Sequence, residues 1–282
     1  MRAHLLTDIH NEHRDAPYRV KDLDFDILIL AGDIDIGLGG ITWAAEESQR
    51  LGVPAIYVAG NHEFYGTELV SHDIAMRIHS TKLGVHYLNN EAVVLDGVRF
   101  LGTTLWTDYQ LTGEHSYFVE YQIRRAMSDH RLIRYGESLF SPGHAQMLHG
   151  NAIEWFEESI QERGDYETTV VVTHHGPSEL CVHPKWTGSV VSNAYCSHLD
   201  HLVAQADFWF YGHTHAALDT LVEQTRLVTN PAGYPGQETG FNLIWLSISK
   251  EERPNEQAII GRRPGGHMLA GQAYGSCRER GH

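Results

Sequence analysis

The chain has 282 residues, of which 42% are hydrophobic, so it can form one large α/β domain with a full core. Its formal charge of −15 at pH 7 offers no evident basic face, so we expect no long duplex nucleic acid as a partner. It has no apolar run of 18 residues and no signal-like N-terminus, so we expect no membrane partner. Three scattered cysteines predict reduced thiols and a cytoplasmic location.

Short apolar runs that end in glycine or polar residues predict five buried β-strands, at residues 3–7, 25–31, 54–59, 168–173 and 206–211. Amphipathic patterns between and after them predict helices at residues 42–51, 67–79, 141–163 and 197–205. Thr42 and Ser141 are the expected N-caps of two of these helices. The alternation of strand and helix indicates parallel strands joined by crossovers.

The remaining segments predict a less regular organisation. Residues 85–105 carry turn signals that favour three strands joined as antiparallel hairpins, and residues 226–248 favour a closing hairpin. Residues 106–140 fit neither pattern and are interpreted as an insertion over the functional site. We therefore expect one domain over residues 1–250, followed by a flexible tail over residues 251–282 that is poor in large apolar side chains.

Polar side chains follow all five predicted strands at the same end. Ligands of open α/β sheets bind beyond the carboxyl ends of the strands, so these side chains are expected to converge. Each of them alone is better explained as a turn or a polar cap, but five such ends in order favour a metal site. Nitrogen and oxygen donors without a thiolate suit Zn, Mn or Fe. The residues are Asp8, His10, Asp33, Asn61, His62, His174, His175, His213 and His215.

The order of these motifs resembles the calcineurin-like metallophosphoesterases over roughly residues 3–235. The motifs are D-x-H at Asp8, G-D at Gly32, G-N-H-E at Gly60, an apolar strand ending at His174, and G-H-x-H at Gly212. The resemblance implies an α/β fold of two packed mixed β-sheets flanked by helices, in four layers αββα. The stretches THHGPS, TLWTD and NPAGY are similar to those of small bacterial members.

The same resemblance implies two divalent or trivalent ions, which can be Mn, Fe or Zn. Asp33 would bridge them, and a bend at Gly212 would turn both histidines of the last motif towards the site. The first ion would be held by Asp8, His10, Asp33 and His215, and the second by Asp33, Asn61, His174 and His213.

Two ions about 3.5–4 Å apart can hold a bridging hydroxide that attacks phosphorus, with Asp33 between them. His62 follows a predicted ligand and is the candidate general acid for the leaving group. Asp35 stands one place early relative to the family's phosphatase block, so its role as partner of His62 stays open. The arginine of that block is absent, which weakens a phosphoprotein phosphatase interpretation. Glu63 is expected to cap a helix or to bond a residue of the site.

The predicted function is hydrolysis of a small phosphodiester or phosphomonoester. The alternatives are a nuclease acting on short nucleic acids through the same site, and an inactive metal-binding scaffold. Metal identity, substrate and oligomeric state stay open. Each candidate substrate contact also has a structural explanation, as a turn, as packing or as a solvated helix face. These candidates are Asn11, His175, Asn230, Trp106, Arg124 and Arg125.

Overall fold

The computed structural model describes residues 1–113, 116–162, 164–242 and 246–248. The strands in this part of the chain are β1 Arg2–Leu6, β2 Ile27–Ala31, β3 Ala55–Val58, β4 His86–Tyr87, β5 Glu91–Leu95, β6 Val98–Thr103, β7 Arg134–Tyr135, β8 Ser138–Leu139, β9 Thr168–Thr173, β10 Phe208–Phe210, β11 Leu218–Val222, β12 Thr225–Thr229 and β13 Leu246–Ser247. The α-helices are α1 Gly39–Leu51, α2 Leu69–Leu83, α3 Tyr117–Ala126, α4 Asp129–Leu132, α5 Pro142–Ser159 and α6 Asp200–Val203. The five strands predicted from apolar runs are all present.

Two mixed β-sheets form the centre of the fold. The first has the order β13-β1-β2-β3-β4, in which β1 to β4 run parallel and β13 runs antiparallel to β1. The second has the order β11-β12-β10-β9-β6-β5, with β6, β9, β10 and β12 parallel and an antiparallel strand at each edge. Parallel strands end at the same edge of each sheet, so the loops after β1, β2, β3, β9 and β10 are brought together.

The sheets pack face to face, and helices cover their outer faces. Successive side chains of a strand point to opposite faces, so Leu5 lies in the core between the sheets and Leu6 in the core under α1 and α2. Likewise, Val172 faces the other sheet while Val171 lies in the same outer core as Phe156 of α5. The four-layer αββα arrangement implied by the family resemblance is thus confirmed.

Two hairpin predictions were wrong about pairing. Within residues 85–105 only β5 and β6 form an antiparallel hairpin, whereas β4 pairs in parallel with β3 in the other sheet. Within residues 226–248, β12 pairs with β10 and β11, and β13 pairs with β1 across the molecule. Turn signals in the sequence indicate where the chain changes direction. Which strand then pairs with which depends on how each strand is buried in the core.

The helix ends differ from prediction at one of the two N-caps. Ser141 caps α5 in a capping box with His144, as expected. Thr42 does not cap α1, because the helix begins three residues earlier and the Thr42 hydroxyl donates to the Leu38 carbonyl. The predicted insertion contains α3, α4 and the hairpin β7–β8. It packs onto the first sheet's outer core through Trp106 and Ile123, so it is an integral part of that layer.

None of the helices in the described ranges is long and apolar enough to cross a membrane. Cys181 and Cys196 are buried free thiols, in agreement with the prediction for these two cysteines. The predicted tail, residues 251–282, lies outside the described residues. The cytoplasmic location stays a prediction.

Candidate metal centre

The loops that carry the predicted ligands turn sharply after each strand. Five of the seven predicted ligands adopt the left-handed backbone conformation, which non-glycine residues rarely occupy and which costs roughly 1–3 kcal/mol each. This conformation turns each loop back over the strand ends, so strain is concentrated at the site. The five residues are Asp8 (φ 52°), His10 (φ 51°), Asp33 (φ 54°), His213 (φ 69°) and His215 (φ 50°).

The glycines of the motifs make room for the ligands. A Cβ at Gly60 would lie 2.1 Å from Oδ1 of Asp33, and one at Gly212 would lie 2.1 Å from Oγ1 of Thr7. Gly212 is therefore needed for close approach, and the predicted bend lies instead at His213 and His215, whose φ angles are positive.

The first group of predicted ligands joins Asp8, His10 and His215. Nε2 of His10 lies 3.0 Å from Nε2 of His215, which in turn lies 3.3 Å from Oδ1 of Asp8. Donors placed 2.0–2.1 Å from a tetrahedral ion are about 3.3 Å apart, so these spacings fit one shared cation. Nδ1 of His10 donates to Glu12, and Nδ1 of His215 donates to Gln237. Both Nε2 atoms are thus left as lone-pair donors that face one another.

The second group joins Asp33, His174 and His213 with Asn61. Nδ1 of His174 donates to the Ala31 carbonyl, so in the neutral ring its Nε2 carries the lone pair that a metal ion would bind. That Nε2 lies 3.3 Å from Oδ2 of Asp33, 3.2 Å from Nδ1 of His213 and 3.1 Å from Oδ1 of Asn61. When His174 is neutral, nitrogen and oxygen lone pairs face one another here with no hydrogen between them. A cation bound among these atoms would remove the repulsion between the lone pairs.

The electrostatics of the second group also favour a cation. Burial lowers the pKa of His174, but Asp33 and Asp8 outweigh this effect and raise it to about 9. In the metal-free protein a proton on His174 then balances the carboxylates. The donor set and its charge therefore fit a bound metal ion.

Asp33 lies between the two groups. Its Oδ2 is 3.3 Å from Nε2 of His174 and 3.9 Å from Nε2 of His10. Its backbone is held by Glu63, whose carboxylate accepts the amides of Asp33 (3.1 Å), Ile34 (2.9 Å) and Gly60 (2.7 Å). Burial and the charge of Asp33 raise the pKa of Glu63 to about 7. The bond predicted between Glu63 and the site is therefore present.

His62 reaches the same place from its own loop. Its Nε2 lies 3.9 Å from Oδ2 of Asp33, and its Nδ1 lies 2.8 Å from Oε1 of Glu12. Burial lowers the pKa of His62, but the charges of Asp33 and Glu12 raise it to about 9. Asp35, the partner left open by the sequence, accepts instead from the amide of Ile36. Glu12 was missed, although it stands only two residues after a predicted ligand.

Asp129 of the insertion and Tyr65 of the loop after β3 are two further residues that the sequence did not single out. Nδ2 of Asn61 lies 2.8 Å from Oδ1 of Asp129 and 2.8 Å from the hydroxyl of Tyr65, which also donates to Asp129. Because the nitrogen of the amide is used in this way, its oxygen faces His174. Asp129 of α4 thus holds the Asn61 amide in the orientation that metal binding through its oxygen requires.

Tyr234 and His13 lie at the mouth of the site and were also missed. The ring of Tyr234 stacks on His10 at 4.3 Å between centroids and is 39% exposed. His13 lies beside it, 5.3 Å away, with its side chain 51% exposed. Tyr234 is the last residue of the NPAGY stretch, whose similarity to small bacterial family members was the signal that could have found it.

Three predicted substrate contacts are held by bonds within the chain. The side-chain oxygen of Asn11 accepts from the amide of Tyr18. His175 is buried and donates to the Thr104 carbonyl, and its burial lowers its pKa to about 3. The amide of Asn230 donates to the carbonyls of Leu5 and Asn242. These bonds match the structural explanations, and a role towards substrate stays a prediction.

The other three candidates lie in the insertion. Trp106 is buried and packs on Phe140, with ring centroids 4.6 Å apart. Arg124 and Arg125 are exposed near the C-terminus of α3, where Arg125 bonds the hydroxyl of Tyr121. Packing and a solvated helix face describe these positions, and their contact with substrate stays a prediction.

Comparison with known proteins adds three findings. The profile of the family described as calcineurin-like phosphoesterase matches residues 1–217. The uncharacterized protein L509 of Acanthamoeba polyphaga mimivirus is 24% identical over 205 residues, which cover 66% of this chain and 70% of that protein. The crystal structure of phosphopantetheinyl hydrolase from Mycobacterium tuberculosis has a TM-score of 0.68 at 16% identity, and the match covers 90% of this chain and 98% of that one. At this identity the structural match shows a shared fold.

Proposed function

The chain belongs to the calcineurin-like phosphoesterase family, and from this premise we propose that it hydrolyses a small phosphodiester or phosphomonoester with two bound metal ions. The observation that carries the proposal is the position of Asp33, whose Oδ2 lies between two groups of donors with lone pairs facing inward. The first ion would be held by the group of Asp8 and His215, and the second by the group of Asn61 and His174. Nitrogen and oxygen donors suit Mn, Fe or Zn.

When bound, such ions neutralise charge on the phosphoryl oxygens and lower the pKa of water near phosphorus. The residues of the chain then orient the reaction. His62 directs Nε2 towards Asp33 and uses Nδ1 to bond Glu12, so it can donate a proton to a leaving oxygen at this point. Glu63 holds the loop that carries Asp33 in place.

A phosphodiester substrate is favoured by charge. The metal ions would be the main positive charge at the site, because Arg124 and Arg125 are exposed on α3. A phosphodiester, with a single negative charge, needs less neutralisation than a monoester. A phosphoester substrate is also consistent with the name of the hydrolase that shares this fold.

The test is hydrolysis by metal-reconstituted protein of bis-p-nitrophenyl phosphate, p-nitrophenyl phosphate, a cyclic nucleotide and duplex DNA. We expect turnover of the first substrate and poor cleavage of duplex DNA. Asp33→Asn should lower kcat by a factor of about 10³ or more, because both ion positions lose their shared ligand. His201→Ala, a change at an exposed histidine, is the matched control. Wild type that holds two ions but cleaves none of the small esters would overturn the proposal.

A further inference from the structure

A third group of possible ligands lies beside the two ion positions. Glu12, His13 and His62 each place one donor atom within 4.8 Å of the others. None of the three is among the seven predicted ligands of the main centre, and His62 is the candidate general acid. We propose that Glu12, His13 and His62 form an additional, inhibitory site for a divalent transition metal ion, with Zn²⁺ as the best match.

The distances in this group fit zinc. Oε1 of Glu12 lies 2.8 Å from Nδ1 of His62 and 3.7 Å from Nε2 of His13. These spacings lie on either side of the roughly 3.3 Å expected between tetrahedral ligands, so shifts of about half an ångström bring both of these pairs to that spacing. One carboxylate and two imidazoles are ligands that zinc commonly takes, and a solvent molecule can complete the tetrahedron.

The second carboxylate oxygen of Glu12 is an independent reason to expect a cation. The Glu12 side chain is only 9% exposed, and its Oε2 is buried with no hydrogen-bond partner among the described residues. Its Oε1 already accepts hydrogen bonds from His10 and His62. A buried carboxylate oxygen without a donor is costly, and an ion bound by both oxygens of the carboxylate would remove that cost.

His13 makes the group accessible. Its side chain is 51% exposed at the mouth of the site, whereas Glu12 and His62 are largely buried. An ion can therefore arrive from solvent on His13 and bind the two inner ligands without displacing the seven predicted ligands of the main centre. This arrangement favours exchangeable binding.

Binding here would impair catalysis, an inference that rests on the proposed function. His62 is held in place by the bond from its Nδ1 to Glu12. An ion on Nδ1 would replace the proton of that bond and pull the ring towards His13, away from Asp33. Two equivalents of metal would thus activate the protein, and a third would inhibit it.

The experiment compares zinc stoichiometry and activity in wild type, His13→Ala, His13→Gln and the control His201→Ala. Each protein is equilibrated by dialysis against increasing Zn²⁺ and analysed by mass spectrometry for bound metal, then assayed with bis-p-nitrophenyl phosphate. Wild type and the control should bind one more zinc ion than the two His13 variants. They should also lose activity at high zinc, with an inhibition constant raised roughly tenfold or more by the His13 changes.

Asp8→Asn separates this proposal from the proposed function. It removes a ligand of the main centre and should lose an ion there while keeping the zinc ion that depends on His13. If no ester is cleaved but the His13 variants still bind one ion fewer, the proposed function fails and the zinc site stands. If hydrolysis is normal and the His13 variants bind as much zinc as wild type, the zinc site is refuted.

Discussion

At the scale of single residues, the site depends on side chains that hold other side chains. Oε1 of Glu12 contacts both a predicted ligand, His10, and the candidate acid, His62. Such contacts orient an imidazole and select its tautomer, so they govern both metal binding and proton transfer. The residues nearest the ligands are therefore the most informative ones to change.

His62→Ala should lower kcat by a factor of roughly 10²–10⁴, because proton donation to the leaving oxygen is lost. Metal bound at the two main ion positions should stay at the wild-type level, since His62 is not one of the seven predicted ligands. The loss should shrink for p-nitrophenyl esters, whose leaving group departs without a proton. Steady-state kinetics over a series of leaving groups provides the measurement, and an equal loss across the series would rule out the acid role.

Glu12→Gln should lower kcat by a factor of about 10–100 while leaving KM nearly unchanged, because the variant keeps the shape of the side chain but weakens its hold on His62. Glu46→Gln, at an exposed position of α1, is the matched control. A rise in KM with an unchanged kcat would instead assign Glu12 to substrate binding.

His175 makes the metal-free protein sensitive to acid. Burial lowers the pKa of His175 to about 3 from an unfolded value of 6.5, so its neutral form stabilises the fold above pH 6.5. That stabilisation is lost as the pH falls from 6.5 towards 3, since the unfolded chain takes up the proton. Between pH 7 and pH 5, wild type should lose about 2 kcal/mol more unfolding free energy than His175→Gln. Urea unfolding with a chelator measures this, and equal losses would contradict it.

At the scale of elements, the insertion is coupled to the metal centre. Helix α4 provides Asp129, which accepts a hydrogen bond from Nδ2 of Asn61 and so turns the amide oxygen towards the second ion position. A segment that the sequence could describe only as an insertion thus helps to shape the second ion position. Met127 and Ile133, on either side of α4, belong to the outer core of the first sheet and so hold the helix in place.

Asp129→Ala should weaken binding of one ion by a factor of about 10–100, because the Asn61 amide becomes free to rotate. The other ion should bind as before. Asp129→Asn keeps an oxygen acceptor and should retain most of the affinity, while Asp165→Asn is an exposed control. Calorimetric titration with Mn²⁺ distinguishes the two ions. Equal weakening of both would show that Asp129 acts on the fold and not on Asn61.

At the scale of the whole molecule, the centre joins the two sheets. Its ligands follow β1, β2 and β3 of the first sheet and β9 and β10 of the second. Without a cation, imidazole nitrogens that face one another at 3.0 and 3.2 Å destabilise this junction, and so does the strained backbone of the five left-handed ligands. Metal binding should therefore stabilise the whole fold and not a single loop.

Metal removal should lower Tm by about 5–10 °C for each ion lost, relative to protein held at one hundred times the dissociation constant, where binding of one ion adds about 2.7 kcal/mol. Differential scanning calorimetry with and without chelator measures the shift. Asp33→Asn is the control, since it should show little change on chelation. An unchanged Tm in wild type would mean that the centre does not hold metal in the folded state.

The sequence by itself determined the buried strands, the order of the motifs and the fold family. These features are local: an apolar run bounded by polar residues specifies a strand, and a parallel sheet then brings the strand ends together. For the same reason Asp8, Asp33 and His174, far apart in the chain, could be expected to meet. The structure brings all seven predicted ligands together at that edge.

Only the tertiary structure decided which elements and side chains become neighbours. The pairing of β4 with β3 and of β13 with β1 depends on burial between distant segments, which turn signals do not encode. The contacts of Glu12 with His62 and of Asp129 with Asn61 likewise span 50 and 68 residues. The sequence around a carboxylate does not identify its hydrogen-bond partner, because that partner depends on how the sheets, helices and insertion pack.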